Sequence, residues 1–507
     1  MRRKVLFFTC ELPPLPGLPV TGGGLRVHGL AEGLKAAGHQ VILSVPVDRA
    51  EAAGEPAAAL REHAHDPRAM GPLIADARPD VLLFEQWGTA TYLPDTDIPT
   101  VIDLHGALSL ENAFRSGGDI ASDALTKIET LARADLLICA GVYQRNYFLG
   151  WWVLAGADPR TARVEVIPVC LAPETPRRSK RKGARFVMSG IAWPWIDPFP
   201  GLEILARKVG EHRDASLDLY LGRPQVTLTG GEEKDEQARY AEIVERVSGI
   251  DRVTIHEPID RDALLAEYRS CACAFDLCRR NPERELAFTT RTVEYLWSGV
   301  PVIYGDYGEL AASIERYQAG FVVDPEDGKA IRAVVDRIFQ EPTILDERSR
   351  NAQRLARERL TWDRAVLPLA RFVETPVRRA AKRSLVAGFK AVVDGHWEKL
   401  HLEKVQKIEA EYREEKRDLL ARVNALHDRI DELVKARDQE IKALQAQARQ
   451  ETRDRDKRID LLVAEKEKEA ARHAKEVREL GERIDQANRL FDERLWQASQ
   501  EQNALQK

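Results

Sequence analysis

The sequence lacks several features that would place it in large classes of protein. No apolar run reaches the roughly 18 residues that a membrane-spanning helix needs, and the N-terminus indicates a first β-strand rather than a signal peptide. A net charge of −5 over 507 residues leaves no global basic field, so nucleic acid is not an expected partner. The six cysteines have no paired spacing, which favours a reducing, cytoplasmic compartment. Cys271, Cys273 and Cys278 come nearest to a metal pattern, but they lie in a strand-like run and are interpreted as core thiols, so no metal site is predicted.

Proline is also missing from one part of the chain, and this divides the sequence. No proline follows Pro376, and Glu, Lys, Arg, Gln and Ala dominate from there to the end. We therefore predict five segments. They are an acceptor-side domain at 1–172, a basic linker at 173–183, a donor domain at 184–375, a basic amphipathic helix at 376–398 and a coiled coil at 399–507.

Before residue 375, strand-like and helix-like segments alternate. Such βα units predict parallel sheets with helices on both faces. The expected fold class is α/β, with two doubly wound Rossmann-like domains facing a cleft, followed by a long α-helical coiled coil. A cleft between two such domains suits an enzyme that carries a group from a donor to an acceptor.

Two spots in the first domain are candidates for binding, because ligands of such sheets lie beyond the carboxyl ends of the strands. Three consecutive glycines, Gly22, Gly23 and Gly24, follow the first strand, and glycines let the backbone approach a ligand closely. His105 directly follows another strand, where an imidazole can bind or polarise a sugar hydroxyl. The alternatives are a flexible turn and a structural histidine.

The stretch 285–309 is the strongest candidate in the second domain. Polar residues, including Thr289 and Thr290, precede a short helical pattern that ends at Gly299 and leads into an apolar strand. The free amides at a helix N-terminus bind anions, and phosphate is the obvious one. We predict a nucleotide-diphosphate site here, in which Glu294, one turn into the helix, accepts hydrogen bonds from ribose hydroxyls.

The segment after residue 375 predicts helices. Arg378, Arg379 and further basic residues alternate with apolar ones, as in a helix that rests on an anionic membrane surface or packs on the globular part. From Leu402 onwards apolar residues follow heptads with stutters, which is typical of a coiled coil. We expect self-association or a partner protein through this coil, with a solvated single helix as the alternative.

Taken in order, these motifs resemble those of GT-B glycosyltransferases, most of all the family 4 (glycosyl transferases group 1) type. The resemblance covers about residues 3–372. It rests on GGGLRVHGLAEGLKAAGHQV, VIDLHG, VIPVCL and RTVEYLWSGVPVIYGDYGEL. Each motif is weak alone, and their order and spacing carry the resemblance.

The resemblance implies an enzyme that uses a nucleotide-sugar donor, bound mainly by the second domain and without a required metal or other cofactor. Glu294 matches the ribose-binding acid, His105 the histidine near the transferred sugar, and Gly23 and Gly24 the loop near the diphosphate and acceptor. Gly190 opens the first loop of the donor domain. The family usually retains the anomeric configuration. The implied acceptor is a glycan, lipid-linked or protein group, as in bacterial surface polysaccharide assembly, on the inner face of the membrane or in the cytoplasm.

The chain also departs from the family pattern. Many relatives have an acid eight residues before the ribose acid, where this chain has Leu286, so Glu285 is the nearest catalytic candidate. The loop that begins at Gly190 lacks the usual Arg and Lys, so Arg291 becomes the first candidate to hold the diphosphate, with Arg279 or Arg280 as the alternatives. These differences leave a catalytically impaired scaffold as the alternative, and a nucleotide-sugar epimerase as a weaker third hypothesis.

Overall fold

The computed structural model describes residues 2–114, 120–179, 181, 183–223, 233–379, 385–448 and 456–505. The first domain contains six strands and the helices between them, with a 3₁₀ turn at Glu55–Ala57. The strands are β1 (Lys4–Phe8), β2 (Gln40–Ser44), β3 (Val81–Glu85), β4 (Thr100–Asp103), β5 (Leu136–Cys139) and β6 (Val164–Val166). The helices are α1 (Gly22–Ala36), α2 (Val47–Ala52), α3 (Ala58–Arg61), α4 (Gly71–Ala77), α5 (Gln86–Thr89), α6 (Leu108–Ala113), α7 (Ile120–Ala132) and α8 (Val142–Leu154).

The six strands form one parallel sheet in the order β2-β1-β3-β4-β5-β6. Successive side chains of a strand point to opposite faces, and β1 shows this directly. Leu6 and Phe8 pack into the core on one face of the sheet, and Val5 and Phe7 pack into the core on the other. Both faces are therefore covered, which confirms the prediction of a doubly wound domain.

The second domain repeats this architecture. Its strands are β7 (Ala184–Ile191), β8 (Ala215–Gly222), β9 (Val253–His256), β10 (Cys273–Asp276), β11 (Val302–Gly305) and β12 (Gly320–Val323). They form a parallel sheet in the order β12-β11-β10-β7-β8-β9. Its helices are α9 (Gly201–Glu211), α10 (Glu233–Val247), α11 (Arg261–Tyr268), α12 (Pro282–Leu286), α13 (Thr290–Trp297), α14 (Ala311–Tyr317), α15 (Gly328–Gln340) and α16 (Ile344–Arg359). The fold class of two Rossmann-like domains is thus confirmed.

The end of the globular part returns to the first domain. Helices α17 (Trp362–Ala365) and α18 (Leu367–Glu374) follow α16, and Val366, Leu369 and Val373 are buried in a core of the first domain. Residues 376–379 are not helical. Arg379 donates from its backbone N to Asp135 Oδ1 over 2.7 Å, and Arg378 donates to the Thr96 carbonyl over 2.6 Å. The predicted helix at 376–398 therefore begins later than expected; residues 380–384 lie outside the described residues.

A second compact unit, Ala387–Lys507, is separate from Met1–Val386. It consists of two long helices, α19 (Leu385–Ala448), which begins just before the unit, and α20 (Asp456–Leu505). The rings of Tyr412 and Phe491 stack with centroids 4.1 Å apart. Tyr412 lies 36 residues before the end of α19 (448 − 412) and Phe491 lies 35 residues after the start of α20 (491 − 456). The nearly equal separations mean that α20 runs back along α19 as a helical hairpin, with Leu419, Leu433 and Leu480 buried.

Among the helices that the structure describes, none is both long and apolar enough to cross a membrane.

Candidate active site

The two sheets each have one point where the strand order reverses, and the predicted site residues gather there. In the first sheet this point lies between β1 and β3, and in the second it lies between β7 and β10. Diverging connections leave a crevice at the carboxyl ends of such strands, which is where open α/β sheets bind ligands. Glu85 ends β3, and Asp276 ends β10.

His105 lies between two buried carboxyl groups at the edge of the first sheet. Its Nε2 is 3.5 Å from Glu85 Oε1 and its Nδ1 is 3.4 Å from Asp103 Oδ2. Glu85 and Asp103 are direct neighbours across β3 and β4. Asp103 is held in turn by Arg26 of α1, whose Nε and Nη2 each donate to one carboxylate oxygen over 2.9 Å. His105 thus has its ring fixed at the cleft by acids on both sides.

The electrostatics separate the two acids. Burial raises the pKa of Asp103, but the charges and hydrogen bonds of Arg26 and His105 together outweigh burial and lower that pKa to about 2. Burial raises the pKa of Glu85 to about 7, and the charge of His105 offsets only part of this rise. Burial lowers the pKa of His105, but the nearby Asp103 and Glu85 more than offset this and raise it above its usual value. The protonation of Glu85 and that of His105 therefore depend on each other.

The three predicted glycines form the first turn of α1 rather than a loop before it. Thr21 is the N-cap, and its Oγ1 accepts from Gly24 N over 3.0 Å. A Cβ on Gly24 would lie 2.1 Å from the Leu12 carbonyl oxygen, and a Cβ on Gly23 would lie 2.6 Å from Cγ of Glu11. The glycines are needed because the loop after β1 lies directly against this helical turn.

Thr289 and Thr290 lie at the start of α13, as predicted. The N-terminus of this helix has no side-chain capping hydrogen bond. Thr289 is the N-cap residue, but its side chain makes no capping hydrogen bond. Its Oγ1 instead donates to the Tyr304 hydroxyl over 3.4 Å. The first amides of α13 are therefore left to bind something else, and an anion is what such amides prefer.

Glu294 is buried one turn into α13 and pairs with an arginine that the sequence did not suggest. Arg261 Nε donates to Glu294 Oε1 over 2.9 Å. Oε2 receives no hydrogen bond from the residues that the structure describes. Burial raises the pKa of Glu294, and Arg261 acts against that rise. Glu294 thus has one oxygen fixed and one open for a hydroxyl donor, which suits the predicted ribose contact.

Arg291 lies across the crevice of the second sheet. Its Nη1 donates to the Ser189 carbonyl over 2.9 Å, and its Nε is 3.4 Å from Asp276 Oδ1. Gly190 has a φ of +124°, and a Cβ there would lie 3.0 Å from Arg291 Nη1. Two separately predicted donor-site residues, Gly190 and Arg291, therefore lie side by side. Part of the guanidinium is already bound to protein, so Arg291 holds the β7 and β10 ends in place as well as supplying charge.

Glu285 lies on α12, where it is 43% exposed and Arg280 Nε lies 2.7 Å from its Oε1. The neighbouring Glu283 and Arg284 are buried and form an ion pair. Arg284 faces a small pocket with Asp276 and Thr289, together with Tyr304 and Tyr307. The acidic residue that lines this pocket is thus Asp276, at the end of β10.

The two domains meet where the predicted motifs lie. A Cβ on Gly22 would be 3.1 Å from Thr290 Oγ1, so the start of α1 faces the start of α13. The rings of Phe114 and Trp195 also meet across the cleft, with centroids 6.4 Å apart. Sequence reasoning missed the charged residues that support the site. For Arg26 a signal existed, because an arginine stands among the apolar residues of the buried face of α1.

Within the described ranges, no group of three or more His, Cys, Asp or Glu side chains is placed to hold a metal ion. The prediction of a metal-free reaction therefore stays a prediction.

Comparisons with known proteins agree with this geometry. Residues 221–358 match the family model described as Glycosyl transferases group 1. A D-inositol 3-phosphate glycosyltransferase from Thermomonospora curvata is 25% identical in an alignment 393 residues long that covers 70% of this chain and 81% of that protein. Sucrose-phosphate synthase from Thermosynechococcus elongatus superposes with a TM-score of 0.56 at 17% identity, over 74% of this chain and 98% of that one. Anabaena HepE, solved in complex with UDP-glucose, superposes with a TM-score of 0.52 at 16% identity, over 74% of this chain and 100% of that one.

Two paired parallel sheets with these structural neighbours define the GT-B fold. The group 1 domain covers most of the second sheet and all of α13. The chain therefore has the GT-B fold and contains a glycosyl transferases group 1 domain, as the sequence motifs indicated.

Proposed function

We propose that the protein transfers a sugar from a nucleotide-sugar donor to a glycan, lipid-linked or protein acceptor during assembly of a bacterial-type surface polysaccharide. The proposal places the reaction in the cytoplasm or on the inner face of the membrane. It needs no metal ion, and it retains the anomeric configuration. The donor lies mainly on the second domain and the acceptor on the first.

The observation that carries the proposal is the uncapped start of α13, which faces the glycine turn of α1. During transfer, the bond between the anomeric carbon and the diphosphate breaks while a bond to the acceptor oxygen forms. Negative charge grows on the departing diphosphate, and preorganised amides and cations stabilise it best. The amides near Thr290, the hydroxyls of Thr289 and Thr290, and the charge of Arg291 converge at this point. Glu294 lies one turn deeper in the same helix.

The similar proteins support a nucleotide-sugar donor. HepE was solved with UDP-glucose and also with UDP and glucose, and the T. curvata relative is named for a glycosyl transfer involving D-inositol 3-phosphate. We propose UDP-sugars as the first donors to test. His105 is the group on the first domain that contacts the transferred sugar.

A second candidate function is that of a catalytically impaired scaffold protein built on this fold. It is favoured by the partial engagement of Arg291 with Ser189 and Asp276, and by the absence of an acid at Leu286. The open Glu294 Oε2 and the uncapped α13 argue against it.

The deciding experiment measures binding of UDP-, GDP- and dTDP-sugars by calorimetry, followed by hydrolysis or transfer. We expect one nucleotide-sugar to bind, and Glu294→Ala to weaken it by about tenfold or more, since a hydrogen bond to a charged group contributes roughly 1.5–3 kcal/mol. Glu285→Ala is the matched control, because Glu285 is an exposed acid. It serves as a control for the binding measurement only, since Glu285 is also a catalytic candidate. If the intact protein bound no nucleotide-sugar and Glu294→Ala behaved identically, the enzyme proposal would fail. Binding without turnover would favour the scaffold.

A further inference from the structure

A carboxylate of the second domain reaches across the cleft and closes the start of α8 in the first domain. Glu309 follows β11, and its Oε1 accepts from Val142 N over 2.9 Å. Its Oε2 accepts from Tyr143 N over 3.0 Å. Gly141 leaves room for it, since a Cβ there would lie 2.8 Å from Glu309 Cδ. Both oxygens of a side chain 166 or 167 residues away therefore occupy the two amides that open this 13-residue helix.

The start of α8 belongs to the acceptor side of the cleft. Gln144, in the first turn, donates from Nε2 to the His105 carbonyl over 2.9 Å and accepts from Ala140 N over 2.8 Å. Gln144 therefore links the start of α8, whose amides Glu309 occupies, to the backbone of His105. Under the proposed function, an acceptor that presents a hydroxyl next to His105 lies near these amides.

Apart from Arg145, which is exposed in the first turn of α8, the charged groups that the structure describes along this edge are acidic or already paired. Glu11 receives a hydrogen bond from Thr21 beside the start of α1, and Glu85 is buried beside His105. Arg26 is fully buried and bound to Asp103, so its charge is not offered to the cleft. Glu309 itself adds a carboxylate where a helix start otherwise favours an anion.

We propose that Glu309 determines the acceptor class, by filling the anion-binding start of α8 so that the protein accepts uncharged hydroxylated acceptors and rejects those with a phosphate or carboxylate group at this position. This inference rests on the proposed function, because it assigns the acceptor of the same site. The physical basis is that an acceptor phosphate must displace Glu309 from both amides and come to lie beside a like charge. Specificity of this kind comes from an element that disfavours the wrong ligand.

The first test is a calorimetric titration of the full-length protein with inorganic phosphate. Phosphate can also bind at α13, so the measurement compares the number of sites and not binding alone. We expect Glu309→Ala to bind one more phosphate than the wild type. At the start of α8, the variant should bind phosphate at least about fivefold more tightly than the wild type does. Glu309→Asp is the second variant, because its shorter side chain withdraws the carboxylate from the amides if Glu309→Ala is poorly folded.

The control variant removes the backbone N–H of Val142 and leaves helix α8 intact. Val142 is the first residue of α8, where proline is tolerated and its missing N–H is the only loss. Gly141 has φ −142° and ψ 168°, which is compatible with a following proline. Glu309→Ala combined with Val142→Pro should lose the gained site. Equal phosphate stoichiometry in the wild type and both single Glu309 variants, or a gain that survives Val142→Pro, overturns the proposal.

The second test compares transfer to a sugar and to its phosphate ester, for example glucose and glucose 6-phosphate, with the donor found by binding. We expect the ratio of kcat/KM for the two acceptors to move by about fivefold or more towards the phosphate ester in Glu309→Ala. An unchanged ratio counts against the proposal. If neither acceptor is used by any variant, the acceptor choice in the proposed function fails, whereas the phosphate titration still decides the role of Glu309.

Discussion

At the scale of single residues, the site depends on how each charge is matched. Asp103 is paired with the bidentate Arg26, whereas Glu85 faces His105 and accepts hydrogen bonds from Thr9 and Cys10, although the two acids are neighbours on adjacent strands. The carboxyl group of Asp103 therefore loses its proton far more readily than that of Glu85. The sequence pointed to His105 and Glu294 because each stands at a recognisable place in a motif. It could not point to Arg261 as the partner of Glu294, because that contact joins residues on two helices and follows from packing alone.

Glu85 predicts a pH dependence of stability. Its pKa is about 7 in the folded protein against an ordinary 4.5, so the folded state binds the proton more tightly than the unfolded state. The resulting stability is fully present below pH 4.5 and is lost as the pH rises through 7. At 1.36 kcal/mol per pH unit the loss is roughly 3 kcal/mol. Denaturant unfolding at pH 5 and pH 8 should show this loss in the wild type and a flatter profile in Glu85→Gln. Parallel profiles would contradict the argument.

Asp103 predicts a large effect of charge removal. Asp103→Asn leaves Arg26, whose side chain has no exposed surface, without its counter-ion. Breaking one partner of a buried pair costs about 3–5 kcal/mol, and unfolding free energies at pH 7 should show a loss of that size. The control is Asp95→Asn, because Asp95 pairs with Arg133 while its side chain is fully exposed. We expect little change from that variant, and equal losses in the two would disprove the burial argument.

At the scale of elements, the alternation of strands and helices predicted both sheets, and local glycines marked the start of α1. The local pattern could not predict contacts between residues that are far apart in the sequence. Glu309 stands after two glycine-containing turns and resembles a loop acid, and its partners lie 166 and 167 residues earlier. The heptads of the tail predicted helices but not the turn back, which depends on contacts such as that of Tyr412 with Phe491. Sequence periodicity specifies which face is apolar and leaves open what covers it.

The first turn of α1 separates two roles of glycine. A methyl group at Gly24 meets the Leu12 carbonyl at 2.1 Å, a backbone atom that must move. We expect Gly24→Ala to lower the unfolding free energy by about 1–3 kcal/mol, as overpacking does. Gly22→Ala places its methyl group 3.1 Å from Thr290 Oγ1, in the cleft. This control should keep its stability and weaken nucleotide-sugar binding. Calorimetry of both variants distinguishes them, and a stable Gly24→Ala would refute the close approach.

At the scale of the whole molecule, the chain consists of a globular unit that ends at Val386 and a helical unit that begins at Ala387. All the site residues discussed above, and all four large core clusters, belong to the first unit. The helical hairpin keeps several large apolar side chains at its surface. Leu402 is 56% exposed, Leu461 is 72% exposed and Trp496 is 64% exposed. A two-helix hairpin can bury only one stripe of each helix, so further apolar side chains favour association with another surface.

We therefore predict that the hairpin mediates self-association and that the globular unit binds its donor without it. Truncation after Val386 should leave nucleotide-sugar affinity and the unfolding midpoint of the globular unit unchanged, because no site or core residue is removed. Sedimentation should show a larger species for the full chain than for the truncated one. As a matched control, Leu461→Lys combined with Trp496→Lys changes only exposed side chains, so it should dissociate the full chain and leave its helix content intact. An oligomeric state that is the same with and without residues 387–507 would rule out self-association through the hairpin and favour a different partner protein.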